Sequence, residues 1–304
     1  MSTSAAPPVT AGDVLTLDEL RDLRGVSRWR GATLVLHAWT VIAGAMIACA
    51  LWPSPVVMVL AVAVIGARQL GLAVLLHEAV HWRLSAHHRA NDRLAQWLCA
   101  APVWAELPLY RREHHLHHRH TRHPDDPDLA LAAPFPTAPG AFWRAVCSDL
   151  TGVTAVTRLL RGRPWRLGPS AAWRRWRAPL ASNAVLFGAL AALGHWWLYP
   201  VLWLLPLLTW YQLAMRIRNI AEHAMVEDDD DPLKNTRTVG AGFLARVFLA
   251  PYRVNYHLEH HLMVFVPCWK LPRAHAILLA RGHGPRMEMA ANYLDVIRRA
   301  TSTR

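Results

Sequence analysis

The chain has 304 residues, 53% of them apolar, with a mean hydropathy of +0.14 and a formal net charge of +12. A soluble core does not need so many aliphatic side chains and a disordered chain does not contain them, so both classes are excluded. The charge comes from arginine, because Lys234 and Lys270 are the only lysines. Membrane topology accounts for it better than nucleic-acid binding does, and no nucleic-acid partner is expected.

Along the chain, residues 1–10 read as a disordered lead without the basic and apolar regions of a cleavable signal. Residues 17–30 look like an amphipathic segment lying on a membrane. Two apolar runs follow, 31–51 and 56–76, each long enough to cross about 30 Å of hydrocarbon. The turn Trp52-Pro53-Ser54-Pro55 makes them a tight hairpin. A second pair of spans is predicted at 179–193 and 198–215, joined through Gly194-His195-Trp196-Trp197. Trp52, Trp196 and Trp197 stand where lipid headgroups would be. Neither turn carries Lys or Arg. On the other side stand Arg21, Arg24, Arg28 and Arg30, then Arg161, Arg163, Arg166, Arg174, Arg175 and Arg177, then Arg216 and Arg218. The positive-inside rule therefore puts both termini and the long connections in the cytoplasm. The fold class expected is an all-α integral membrane protein of the inner (cytoplasmic) membrane: four transmembrane helices in two hairpins, with a cytosolic helical cap. Segments 94–110 and 142–160 read as interfacial or re-entrant helices. The expected division is a tail and interfacial segment over 1–30, a membrane domain over 31–280 and a C-terminal tail over 281–304. Four aspartates at 228–231 read as a solvated loop, since their spacing is not that of an EF-hand. Cys49, Cys99, Cys147 and Cys268 show no CxxC spacing, which excludes a zinc ribbon or an iron–sulfur signature.

Eighteen histidines are the oddest figure, and most are clustered. Histidine in a membrane is costly, so clustering needs a reason. His77-Glu78-Ala79-Val80-His81 ends the second run, His114-His115-Leu116-His117-His118 follows the interfacial segment, and His257-Leu258-Glu259-His260-His261 comes after the last span. On a helix, residues three or four apart share a face, so each cluster can present two or three nitrogens to one point. Eight such imidazoles (His77, His81, His114, His117, His118, His257, His260 and His261) exceed the four ligands of a zinc ion. They suit two metals of higher coordination with open positions for O2. Taken alone, HEAVH also fits a membrane zinc protease with Glu78 as general base, but such an enzyme has no use for two further boxes. A metal transporter would want polar residues inside several spans, and only Arg68, Gln69, Asn183 and Gln212 come near that.

HEAVH, then HHLHH with Thr121 and Asp126-Pro127-Asp128 behind it, then HLEHH, resemble the three histidine boxes of the membrane fatty acid desaturase and hydroxylase superfamily. Arg111 stands three before His114, and His117-His118-Arg119-His120-Thr121 resembles the HHxHT of that group. Leu262, Val266-Pro267 and Leu271-Pro272-Arg273-Ala274-His275 resemble its tail. The resemblance runs over residues 30–280. It implies two iron ions and O2 as co-substrate, attacking unactivated C–H bonds of a fatty-acyl or related lipid chain. The product would be a double bond, or in the hydroxylases and carotenoid ketolases an alcohol or ketone. It also implies that His223 is a metal ligand and that Asn219, four residues earlier, holds a metal-bound water.

The remaining histidines receive lesser roles. His87 and His88 read as interfacial, His115, His120, His123 and His275 as groups that orient ligands, and His37, His195 and His283 as structural or exposed. Glu78, Glu222 and Glu259 sit beside ligand candidates, where each accepts a ligand N–H or is merely solvated. No dinucleotide fingerprint, haem motif or ferredoxin spacing is present, so a separate ferredoxin or flavoprotein reductase must supply electrons. The arginines of 161–177 offer it a positive surface, or bind anionic lipid.

Overall fold

A computed structural model of the protein describes residues 9–132, 134–162, 166–227 and 229–302. Arg163 and Asp228, used above in reading charge and loops, lie outside the described residues, as does most of the expected lead. The described residues are mostly helical, with a single parallel pair of two-residue strands, Thr238–Val239 beside Met289–Ala290.

Among the described residues, two helices are long and apolar enough to cross a membrane, Arg30–Leu51 and Pro55–Val80. Both runs were legible as hydropathy, but the second helix continues to the first histidine box. The hairpin between them is set locally: Ser54 accepts the Val57 N–H at 3.3 Å, and Pro55 occupies the first helical position, where its missing N–H costs nothing. The first helix buries Val35, Ala38, Ile42 and Cys49 against the second and leaves Leu36, Ile47 and Leu51 exposed, a face suited to lipid. The second helix is buried all round from Ile65 to Val80 apart from Ala73, as befits the central element. Gly66 lets it cross Trp210 closely, since a Cβ there would lie 2.8 Å from the indole.

The second hairpin differs from expectation. Helix Pro169–Ala192 begins ten residues before the expected span, and its first turns carry Arg174, Arg175 and Arg177. After Gly194, at φ 78°, the return is broken into a π-turn at Tyr199–Leu204, a short helix Leu205–Leu208, and helix Trp210–His223. Hydropathy registers the apolar residues there but not Pro200 and Pro206, which remove N–H donors from the helical ladder. Thr209, at φ −122° and ψ −85°, marks the break. Segment 94–110 is likewise interrupted: it runs from helix His88–Ala95 through a π-turn and a 3-10 turn to Trp104 at φ 61°, and then into helix Leu107–Arg119.

Broken helices free carbonyls, and a buried unpaired carbonyl costs about 1–3 kcal/mol. The polar residues inside the apolar segments meet this demand. Asn183 donates to the carbonyls of Ala101 and Pro102, at 3.1 and 3.3 Å, and Gln69 to that of Trp203 at 2.8 Å. Gln212 donates to Leu207 at 3.1 Å, and Arg68 to the carbonyl of Val247. All four polar residues that a transporter would need are thus engaged with backbone.

The chain after His223 folds back beneath the helices. Helix Tyr293–Ala300 buries Tyr293, Val296 and Ala300 in one cluster with Ile220 and Ala221, so residues beyond 281 are part of the packed body. At the other end, Val9, Val14 and Leu23 pack in a cluster with Leu258, Leu271 and Leu278.

Candidate metal centre

Four helix ends meet at one place. His77 is in the last turn of Pro55–Val80 and His81 is the residue that caps it. His114, His117 and His118 lie on Leu107–Arg119, His223 closes Trp210–His223, and His257, His260 and His261 lie on His257–Leu262. Arg111 ties the first two together, donating to the carbonyls of Ala79 and Val80 at 3.0 and 3.2 Å while paired to Asp92 at 2.6 Å. A cation at a helix C-terminus also complements its dipole. Arg237, fully buried, does the same for the His223 helix, donating to Ala221 O at 3.1 Å and pairing with Glu288 at 2.7 Å.

The histidines form two groups. Ligand atoms of His77, His81, His114, His118 and His260 lie within 4.8 Å of one another, as do those of His117, His223, His257 and His261. The second and third boxes are therefore each split between two points, rather than each aimed at one. His114 and His118, one turn apart, face the first group, and His117 faces the second. His257 and His261 face the second group while His260 faces the first.

Metal ions fit the chemistry of these donors. His118 Nε2 lies 2.9 Å from His114 Nε2 and 3.1 Å from His260 Nε2, and His257 Nε2 lies 2.9 and 3.0 Å from those of His223 and His261. One proton serves one of two such contacts, and the remaining lone pairs repel. His77 Nδ1 and Nε2 and His81 Nε2 are buried with no hydrogen-bond partner among the described residues. A cation at each convergence would take one lone pair from each ring. Burial holds the imidazoles of His114, His118, His257, His260 and His261 well below the ordinary value of 6.5, hence neutral with lone pairs available.

Neighbours fix the tautomers of His117 and His261. His117 Nδ1 donates to Asp126 at 2.8 Å, and that carboxylate also accepts the N–H groups of Arg122 and Asp128 at 2.9 and 2.8 Å. This leaves His117 Nε2 to point at the group. His261 Nδ1 lies 3.3 Å from the Thr121 hydroxyl, which itself donates to His117 O at 2.9 Å. Asp126 and Thr121 stood in the sequence only as motif neighbours, although an acid nine residues after a histidine was a usable signal. Arg237 carried no signal at all.

The three glutamates have separate tasks. Glu78 accepts the Cys268 N–H at 2.7 Å, so the residue a HExxH peptidase needs as general base is engaged with backbone. Glu259 accepts the Thr238 hydroxyl and His275 Nδ1, each at 2.5 Å. Glu222 takes Arg218 Nε at 2.7 Å. Asn219, four residues before His223, lines a cavity of about 480 Å³ with Phe142, Arg158 and Arg216. His115 lies 5.7 Å from the His81 ring but outside both groups. His37 meets the Tyr252 hydroxyl at 3.1 Å, and His88 stacks on Trp82.

Set against known proteins, residues 52–291 match the family described as fatty acid desaturase. The chain belongs to the fatty acid desaturase family. Among its desaturase-family relatives, it is 29% identical over 268 residues to the dihydrorhizobitoxine desaturase of Bradyrhizobium elkanii, covering 81% of this chain and 74% of that protein. It is 27% identical over 249 residues to the beta-carotene ketolase of Paracoccus sp. (strain PC1), covering 79% and 86%. A desaturase and a ketolase thus stand at nearly equal distance from this member of the family. Eight of the nine converging histidines lie in the boxes by which the sequence resembles that family, and His223 is the ninth.

Proposed function

We propose that the protein is an integral membrane oxidoreductase that uses two iron ions and O2 to desaturate a fatty-acyl or related lipid chain. His77, His81, His114, His118 and His260 hold one ion, and His117, His223, His257 and His261 the other, with Asn219 holding a water at the second. The observation that carries this reading is the sorting of nine imidazoles, seven of them buried, into two groups within the span matched by the desaturase family. Iron held there supplies the oxidising power that side chains lack against an unactivated C–H bond. The protein's own contribution is to fix the ligands, through Asp126, Thr121 and Arg111, and to keep water out by burial. Electrons come from a separate ferredoxin or flavoprotein reductase, and Arg161, Arg166, Arg174, Arg175 and Arg177 serve either to receive it or to bind anionic lipid.

The ketolase relative favours a second reading, oxygenation of a carotenoid or other lipid to an alcohol or ketone. The outcome depends on how the chain is placed against the centre. Mass spectrometry of lipids from a host with defined membranes, expressing the protein with a reductase, distinguishes them. Desaturation appears as the loss of two hydrogens with no label taken from ¹⁸O2, whereas oxygenation appears as the gain of a labelled oxygen. A host lipid pool unchanged in both respects contradicts either reading.

In orientation, the centre and both termini face the cytoplasm and the protein resides in the inner membrane. Reporter fusions at residue 130 are expected to read cytoplasmic, and those in the 52–55 turn outside. A fusion at 130 that reads outside breaks the arrangement, since it would part the second box from the arginines before the first span.

A further inference from the structure

Arg218 and Glu222 form a buried pair one turn apart on the helix that ends at His223. Arg218 takes only one carboxylate oxygen, Oε1, at 2.7 Å. The other, Oε2, is buried with no hydrogen-bond partner among the described residues. It lies 3.6 Å from His257 Nε2, too far for a hydrogen bond. That nitrogen is the one that also faces His223 Nε2 and His261 Nε2 at 2.9 and 3.0 Å. The free oxygen therefore stands on the side of His257 to which the four-histidine group converges.

An unpaired buried carboxylate oxygen is expensive, and pairing with Arg218 alone does not require it to face imidazole lone pairs, which repel it. The two groups are also unequal, five histidines against four. We propose that Glu222 is a carboxylate donor to the metal ion of the four-histidine group, giving it a fifth side-chain ligand. Carboxylate with imidazole is a donor set suited to iron. Arg218 holds Oε1 and turns Oε2 toward the site, so it acts as a positioning residue. Oε2 is not among the atoms that lie within 4.8 Å of one another in that group, so binding draws the carboxylate inward. The inference rests on the two-metal reading proposed above.

The test is anaerobic Fe(II) titration of the metal-free full-length protein in detergent, with a competing chelator, followed by Mössbauer spectra of the loaded samples. Wild-type protein is expected to bind two ions. Glu222→Gln keeps an acceptor for Arg218 Nε but offers a poor ligand. It is expected to bind one ion as wild type does and the other at least ~10-fold more weakly, with one of two iron signals altered. Glu222→Asp should recover part of the loss. Because Gln leaves Arg218 without a countercharge, the double variant Arg218→Met with Glu222→Gln is measured too. A ligand role leaves its second ion weak, whereas restored affinity there shows that only the buried charge mattered and overturns the proposal. Unchanged binding of both ions by Glu222→Gln also overturns it. Failure of the wild type to bind a second ion overturns the two-metal reading itself, which keeps the two failures distinct.

Discussion

Replacing His261 by alanine is expected to abolish turnover and to lower iron content, while His37→Ala leaves both near wild type. His261 is one of four histidines converging on the second point, and its Nε2 is 3.0 Å from that of His257. On the two-iron reading, removing it leaves three imidazoles to hold an ion that must keep positions open for O2, so no spare imidazole compensates. The same outcome is expected of His77, His81, His114, His117, His118, His257 and His260, each of which belongs to one of the two groups. His37 is a fair control because it lies outside both groups, on the first apolar helix, where its ring meets the Tyr252 hydroxyl. Iron content and turnover measured on one preparation decide the matter. Full activity in His261→Ala would contradict the ligand assignment.

The protein purified in detergent is expected to carry close to two iron ions and little zinc. Stripping it with a chelator should abolish turnover, and Fe(II) but not Zn(II) should restore it. Zinc is satisfied by four ligands in a tetrahedron, whereas one group here offers five imidazoles, which suits a larger coordination number. Zinc also has no redox chemistry with which to use O2. One zinc and no iron, with peptidase activity lost in Glu78→Gln, would instead revive the protease reading of HEAVH. The bond from Cys268 N–H to Glu78 argues against that outcome.

The parts legible in the sequence were those governed by local spacing. His77 and His81, four apart, had to share a helix face, and runs 31–51 and 56–76 had to be helices long enough to span a bilayer. What spacing does not carry is which point a given imidazole serves. His117 and His118 are neighbours in the chain yet face different groups, because their helix passes between two other helix ends. That is a tertiary fact. The broken return after Gly194 was hidden for another reason: hydropathy sums side chains and ignores the missing N–H of Pro200 and Pro206. The role of Asp126 depends on the loop from Thr121 to Asp128 folding back on His117, through bonds to two backbone N–H groups.

The splitting of the boxes has a consequence for the order of events in biosynthesis. The first group lacks a member until His260 has been made, and the second needs His257 and His261 as well. A ribosome that has already delivered both apolar helices to the membrane has therefore completed neither group of histidines. Since chains emerge at about 5–20 residues per second, His77 and His81 wait on the order of ten seconds or more for their last partner. Closure of both points comes together, when helix His257–Leu262 docks. A transcript truncated before codon 257 yields a membrane protein with a full first hairpin and no finished centre.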